Sequence, residues 1–212
     1  MNVIVLNHPL IDHKMSLLRD EKRSMPEFKM LLDEIGLLMV YEVTKELELE
    51  DTLIKTPVAK AKTKKLKSHP ILVTILRAGL GLLDPFMKLM PNSKVGFLGM
   101  DRDEITLQPR SYYDKIPMQA LKNEVLLIDP MLATGGSALN AIDFLVSKGV
   151  KNITFICLVA APEGIKAINE KYPDIKIFAA ALDEKLNDKG YIVPGLGDAG
   201  DRIFGTEDNE NL

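Results

Sequence analysis

Cysteine and tryptophan are almost absent from this chain, whose 212 residues include one cysteine and no tryptophan. A single cysteine excludes an internal disulfide framework and suits a reducing compartment, so we expect a cytoplasmic protein. Because Cys157 lies within an apolar segment, we expect a buried structural thiol rather than a nucleophile. No apolar run approaches the roughly 20 residues that cross a bilayer. The start also lacks a basic n-region and a cleavage site, so we expect no membrane partner.

Positive charge is not in excess either, since the formal net charge is −3. This balance argues against general nucleic-acid binding. Histidine is also scarce: His8 and His13 lack the spacing of a metal-binding pair and have no cysteine nearby, so we predict no metal site made by protein ligands. The hydrophobic share of 46% is typical of a globular chain. The length fits one domain over residues 1–212 with a sizeable core.

The most informative segment is residues 125–137, where an apolar run rich in branched residues ends at Asp129. The run is typical of a buried strand. A small glycine-rich turn comes next, and Ser137 opens a helical pattern that stops at Gly149. In this arrangement free amides, the positive end of the helix and the hydroxyl groups of Thr134 and Ser137 can face a phosphate. Since Asp129 is placed to hold sugar hydroxyls, the segment predicts a site for a phosphorylated sugar.

Two familiar phosphate motifs do not explain the chain. The glycines of the turn are not followed by lysine, so the turn is not a Walker P-loop. The segment from Gly195 to Gly200 matches G-x-G-x-x-G, but Pro194 precedes it and no room for a βαβ unit remains after it. The context of a dinucleotide-binding site is therefore missing.

Apolar segments alternate with helical patterns along most of the chain. This alternation predicts an α/β fold with a mostly parallel sheet covered by helices on both faces. Ligands of such sheets bind outside the carboxyl ends of the strands, where Arg77 and Asp129 fall. Ser24 and Glu27 form a capping box at the start of a helix whose apolar positions are numerous enough to predict burial on two sides. The predicted strands are residues 3–6, 71–76, 95–99, 125–128, 153–159 and 175–181, and residues 51–67 are predicted to form a polar hairpin arm.

The residues resemble a known family. Residues 129–137, Asp-Pro-Met-Leu-Ala-Thr-Gly-Gly-Ser, are similar to the ribose-phosphate loop of the type I phosphoribosyltransferases, in the form found in the uracil phosphoribosyltransferase branch. Four more ordered blocks agree with that branch, and together they are far more specific than one motif. They are residues 75–81 (ILRAGLG), 99–104 (GM, then RDE), 158–164 (LVAAPEG) and 190–201 (GYIVPGLGDAGD). The resemblance runs from the N-terminus to about Gly205.

The resemblance implies a type I phosphoribosyltransferase fold with the hairpin arm and a C-terminal base hood, residues 183–205, over the base. It also implies transfer of the 5-phosphoribosyl group from 5-phosphoribosyl 1-diphosphate (PRPP) to N1 of uracil. The products would be UMP and diphosphate, a step of pyrimidine salvage. Residues 206–212 are polar, and we expect a frayed tail.

The resemblance also assigns residues to tasks. Catalysis would fall to Arg77, Arg102, Asp129 and Asp198, with Asp198 a candidate to assist loss of the N1 proton. Uracil would be contacted by Ile192, Gly197, Asp198 and Ala199, largely through backbone groups. PRPP would be bound by Arg77, Arg102, Asp129, Pro130, Met131, Leu132, Ala133, Thr134, Gly135, Gly136, Ser137 and Asp198.

The chain departs from the family pattern at three positions. Pro130 stands where many phosphoribosyltransferases have a second acid, so we expect Mg²⁺ to be carried mainly by the diphosphate of PRPP rather than held by the protein. Asp101 stands where an aromatic residue is common, and Ile105 where an acid is common. These two departures leave open the contacts of the mobile flap that the family would place at residues 103–118.

Two rival functions remain. An RNA-binding regulator of the same fold would need a coherent basic face, and only a lysine run in the hairpin arm offers one. That run is Lys60, Lys62, Lys64, Lys65 and Lys67, for which we expect a solvated arm, with an anionic effector or RNA as alternatives. A purine-base transferase is the other rival, and the uracil-like hood argues against it. The resemblance also implies a homodimer or homotetramer and raises GTP as an effector.

Overall fold

The computed structural model describes residues 2–102 and 109–206. Ile105, most of the predicted tail and part of the predicted flap lie outside the described residues. The helices are α1 (Pro9–Arg19), α2 (Met25–Val43), α3 (Gly79–Leu89), α4 (Gly136–Ser147), α5 (Pro162–Lys171) and α6 (Ala199–Phe204), with a 3-10 helix at Met118–Leu121. The strands are β1 (Val3–Val5), β2 (Leu49–Lys55), β3 (Lys60–Leu66), β4 (Ile71–Leu76), β5 (Val95–Arg102), β6 (Pro109–Lys115), β7 (Val125–Ile128), β8 (Met131–Leu132), β9 (Ile153–Ala160), β10 (Lys176–Leu182), β11 (Lys185–Leu186) and β12 (Ile192–Val193).

The main sheet has the strand order β1-β10-β9-β7-β4-β5-β6, with the short β8 also paired to β9. Its strand pairs are parallel, apart from β5 with β6 at one edge. The predicted α/β class is therefore confirmed. The antiparallel edge strand β6 was not predicted, because its sequence is polar and lies within the predicted flap.

Helices cover the two faces of this sheet and form two hydrophobic clusters. One cluster contains buried residues of α1, α2, α3 and α6, and the other contains buried residues of α4 and α5. Strand β9 lies between them, and all eight of its residues are buried. Cys157 belongs to this strand, and its burial raises the pKa of the thiol. The expectation of an inert structural thiol is thus supported.

Helix α2 begins as predicted at a capping box, in which the Ser24 amide donates to Glu27 Oε2 at 2.9 Å. It packs against α1, α3 and α6. Its apolar surface is not wholly covered within one chain, because Tyr41 is 68% and Met30 is 55% exposed.

The hairpin arm is a separate two-stranded sheet formed by β2 and β3. Acidic residues of β2 face lysines of β3, as in the 3.1 Å ion pair of Glu50 with Lys65. The lysine run is therefore interrupted by negative charge.

None of the helices within residues 2–102 and 109–206 is long and apolar enough to span a membrane.

Candidate active site

The phosphate loop, residues 129–137, continues from the central strand β7 and leads into α4. The Asp129 amide donates to the carbonyl of Ile156 at 3.0 Å, which fixes the loop to β9. Gly135 has a φ of 85° and is the N-cap of α4. A Cβ atom there would lie 3.1 Å from Ala167 Cβ and 3.2 Å from the Gly164 carbonyl oxygen. The loop therefore needs glycine, and it presents the amino end of a helix, where anions are stabilised.

Asp129 is the one acidic residue in the sequence of the phosphate loop, and it is only 9% exposed. Its burial raises the pKa of the carboxyl to about 7; the Met131 amide opposes this rise, and the negative charge of Asp198 adds to it. Near neutral pH the free site therefore has less negative charge than two ordinary carboxylates would give it.

Arg77 lies at the carboxyl end of β4, directly after a cis Leu76–Arg77 peptide bond. Its side chain is 60% exposed, and its Nη2 atom lies 3.7 Å from Asp201 Oδ1. Gly79 packs tightly behind it, because a Cβ atom at that position would lie 2.8 Å from the carbonyl oxygen of Ile128. The segment from Arg77 to Gly79, here called the Arg77 loop, therefore lies against the end of β7, beside Asp129.

Arg102 is the last residue of β5, which pairs with β4 in parallel. Its backbone consequently ends at the same edge of the sheet as Arg77. The contacts of its side chain, like those of Asp101, fall outside the described part of the structure.

The base hood contains the antiparallel pair β11–β12, a turn at residues 194–198 and helix α6. Asp198 caps α6 by accepting from the Asp201 amide at 3.0 Å. Ile192 and Ala199 are 5% and 2% exposed. Their side chains belong to the core, so only their backbone groups are suited to contact a base. The short helix α6 was not predicted, because glycines dominate the sequence before it.

The base hood lies over the other two segments. The Leu186 amide donates to Glu163 Oε1 at 3.0 Å, which joins β11 to the start of α5. A Cβ atom on Gly190 would be 3.8 Å from Thr134 Cγ2, and one on Gly200 would be 3.7 Å from Ala78 Cβ. Phosphate loop, Arg77 loop and base hood thus meet at one edge of the sheet.

The supports of the base hood were missed by the sequence analysis. Arg19 at the end of α1 donates to both carboxylate oxygens of Asp183, at 2.6 and 2.8 Å, and to the Gly195 carbonyl at 2.6 Å. Arg202 donates to the Leu196 carbonyl at 2.9 Å. Arg19 resembles any basic residue at a helix end, and its partners lie 164 and 176 residues away, so no local signal marks it.

A cavity of about 400 Å³ opens beside these supports. It is lined by Arg19, Glu21, Pro194, Gly195, Leu196, Gly197, Asp198, Asp201 and Arg202. Its wall offers backbone amides and carbonyls to a polar, planar ligand, while Arg19 and Arg202 are engaged with the carbonyls of Gly195 and Leu196.

Within residues 2–102 and 109–206, the side chains offer little to hold a metal ion directly. Within the described ranges, no three His, Cys, Asp or Glu side chains come together in a group that could hold one. The buried Asp129 would supply a single carboxylate.

Comparison with known proteins supports the resemblance over nearly the whole chain. The family model described as uracil phosphoribosyltransferase matches residues 5–206. Curated uracil phosphoribosyltransferases of Ligilactobacillus salivarius and Lactococcus lactis are 54% and 55% identical, each over 96% of this chain and 98% of theirs. A solved protein structure from Aquifex aeolicus superposes with a TM-score of 0.89 at 40% identity, over 96% of this chain and 98% of that one. An adenine phosphoribosyl transferase from Trypanosoma brucei, at 13% identity and a TM-score of 0.59, shares the fold, with 93% of this chain and 88% of that one covered.

Proposed function

Because the chain belongs to the uracil phosphoribosyltransferase family, we propose that it transfers the 5-phosphoribosyl group of PRPP to N1 of uracil. The products are UMP and diphosphate, and the reaction belongs to pyrimidine salvage. The observation that carries the proposal is the meeting of the phosphate loop, Arg77 and the base hood at one sheet edge. PRPP carries a phosphate and a diphosphate, and uracil is a planar base, so the two substrates together need these three neighbours.

PRPP is held in this proposal by charge and by backbone donors. The amides of the phosphate loop and the start of α4 bind the 5-phosphate, and Asp129 binds ribose hydroxyls. The guanidinium of Arg77 and that of Arg102 bind the diphosphate, for which a planar, permanently charged fork is suited. When PRPP is bound, Arg77 exchanges its 3.7 Å partner Asp201 for diphosphate oxygens.

The chemistry requires the C1–O bond to break with positive charge developing on the ribose. Fixed positive charge near the leaving diphosphate stabilises that step, and holding the base over C1 removes most of the entropic barrier. Asp198, exposed at the edge of the base hood, is the candidate to accept the N1 proton. Any Mg²⁺ would arrive on the diphosphate, since hard cations keep several waters and phosphate ligands.

Uracil is recognised by backbone groups of the base hood. Its edge alternates carbonyl acceptors with an N–H donor, which peptide amides and carbonyls can match. Arg19 and Arg202 already occupy the carbonyls of Gly195 and Leu196. In the part of the chain that the structure describes, no backbone donor reaches the Gly197 carbonyl. We assign that carbonyl to the uracil N3–H group.

One assay tests the function: diphosphate release from PRPP, compared side by side for uracil, cytosine, orotate and hypoxanthine. We expect turnover with uracil and rejection of cytosine by up to roughly 10⁴-fold, because its amine would face a backbone donor and leave buried groups unpaired. Faster turnover with hypoxanthine would replace the uracil assignment with the purine alternative.

An oligomer, a dimer or tetramer of this chain, is part of the proposal. The hairpin arm leaves Leu53 and Ile54 61% and 46% exposed, and a shallow recess of about 580 Å³ lies on its open face. Such exposed apolar side chains favour association. Light scattering of the purified protein measures the oligomer, and titration of GTP into the uracil assay tests GTP as the effector. The cytoplasmic location stays a prediction from the cysteine content.

The RNA-binding alternative is disfavoured by the charge of the hairpin arm. Glu48 pairs with Lys67 at 2.7 Å, and Glu50 pairs with Lys65. RNA binding that weakens steeply with salt would revive it.

A further inference from the structure

The turn of the base hood at Gly195 is held by one ion pair from distant parts of the chain. Asp183 Oδ2 accepts from the Gly195 amide at 2.8 Å, and Arg19 Nη1 donates to the Gly195 carbonyl at 2.6 Å. Arg19 also binds both oxygens of Asp183, whose side chain is 4% exposed. The backbone amide and the backbone carbonyl of Gly195 are therefore both held by the Arg19–Asp183 ion pair. We call Arg19 and Asp183 the hood clamp.

The hood clamp is stiffer than an ordinary surface ion pair. Its contacts are charge-assisted, and the guanidinium meets the carboxylate with two parallel bonds, which fixes direction as well as distance. The Asp183 carboxylate is shielded from water, so dissolved salt screens the pair little. Glycine is required between its two members, because a Cβ atom on Gly195 would lie 2.2 Å from the carbonyl oxygen of Ile192.

The position of Gly195 sets the position of the next three residues of the base hood. Gly195 is followed by Leu196 and then by Gly197, whose carbonyl we assign to uracil, and by Asp198. A hydrogen-bonding edge that is read by rigid backbone loses its fit when the backbone shifts, and a misplacement of 1 Å can lower a rate by roughly 10²-fold. By contrast, the phosphate loop has its own supports in β9 and α5.

We propose that Arg19 and Asp183 are positioning residues for base recognition that touch neither substrate. They set uracil affinity and base selectivity by fixing the position of the turn at residues 194–198 of the base hood. This inference rests on the proposed function. It predicts that damage to the hood clamp acts on uracil and leaves PRPP binding in place.

The test compares Arg19→Lys with Arg23→Lys. Arg23 is a matched control, because its guanidinium pairs with Asp20 at 3.6 Å and Glu27 at 3.3 Å near the start of α2. We expect Arg19→Lys to raise the KM for uracil by about tenfold or more, since lysine keeps the charge but loses the fork. The Kd for PRPP by calorimetry should stay within about twofold of wild type, and Arg23→Lys should change neither value.

Two additional measurements separate positioning from a purely structural role. Asp183→Asn keeps the side-chain shape and should also raise the KM for uracil; it carries the test if Arg19→Lys does not fold. Amide hydrogen exchange should quicken at residues 195–198 in either variant and stay unchanged at the phosphate loop.

The outcomes distinguish this inference from the function on which it rests. If wild type uses uracil and both variants, folded, keep its KM, or lose uracil and PRPP affinity equally, the hood clamp is not a positioning element. If wild type fails to release diphosphate with uracil at all, the proposed function falls and takes this inference with it.

Discussion

The phosphate loop and the base hood meet in one site, but they are held in place differently. The phosphate loop continues the central strand of the main sheet, and its backbone is fixed by a strand–turn–helix geometry that neighbouring residues determine. The base hood consists of two-residue strands and a six-residue helix. Its turn is held by arginine side chains that reach it from α1 and α6.

The difference suggests that the two regions have separate tasks, with PRPP bound by the phosphate loop and uracil recognised by the base hood. A loop built from backbone and sheet suits PRPP, whose phosphates need fixed donors and whose charge dominates binding. A segment built from short elements and side-chain supports can be altered without disturbing the sheet. Substitutions in the two regions should therefore have separable effects on the two substrates.

The largest effect is expected for Ala199→Leu in the base hood. Ala199 is the first residue of α6 and is 2% exposed, so a larger side chain must displace the hood from the base. We expect uracil turnover to fall by between about 10² and 10³-fold. Steady-state kinetics with saturating PRPP measure it. Ala120→Leu, which overpacks an equally buried alanine in the 3-10 helix, is the control and should keep uracil turnover.

The next largest effect is expected for Gly135→Ala in the phosphate loop. The added Cβ would meet Ala167 at 3.1 Å, and the positive φ strains any other residue. We expect the affinity for PRPP to fall tens of fold while uracil recognition is retained in kinetics at saturating PRPP. Gly149→Ala is the control, because Gly149 also has a positive φ but its nearest neighbour would be Leu121 at 3.7 Å. A PRPP Kd equal to that of wild type would remove the phosphate assignment.

These two regions also differed in how far they could be predicted. The phosphate loop was located from thirteen consecutive residues, 125–137, because strand, acid, glycine and helix start are all local signals. The supports of the base hood were not found, because the Arg19–Asp183 pair joins residues 164 positions apart. Helix α6 was missed for a related reason: its capping residue Asp198 lies within a glycine-rich run that satisfies no helical pattern.

A smaller effect is expected for Arg77→Lys. The substitution keeps the charge near the diphosphate but loses the bidentate fork. We expect kcat/KM for PRPP to fall about tenfold, with little change in the KM for uracil. Arg23→Lys again serves as the matched control. Equal kcat/KM values for the variant and wild type would exclude Arg77 from the mechanism.

A change in stability rather than activity is expected from Asp129→Asn. The folded pKa of about 7 lies above the ordinary value of 3.8, so the folded chain binds more protons than the unfolded chain between these values. The contribution of Asp129 to stability is therefore fully present at about pH 4 and is lost as the pH rises to 7, by up to about 4 kcal/mol. Urea unfolding of Asp129→Asn should lack this decline and show a gain in stability at pH 8. The control is Asp174→Asn, at an exposed turn, which should keep the decline in stability. A decline of the same size in Asp129→Asn would contradict the burial argument.

The most direct test of the separation between the two regions is calorimetry of PRPP binding to Ala199→Leu, the variant in which uracil turnover should be lost. We expect a Kd for PRPP within about twofold of wild type, because the phosphate loop is supported by β9 and α5, and the one ion pair of Arg77 with the base hood, to Asp201 at 3.7 Å, is given up when PRPP binds. Loss of PRPP binding in a protein that still melts cooperatively would contradict it, and would show that the phosphate loop and the base hood form one indivisible site.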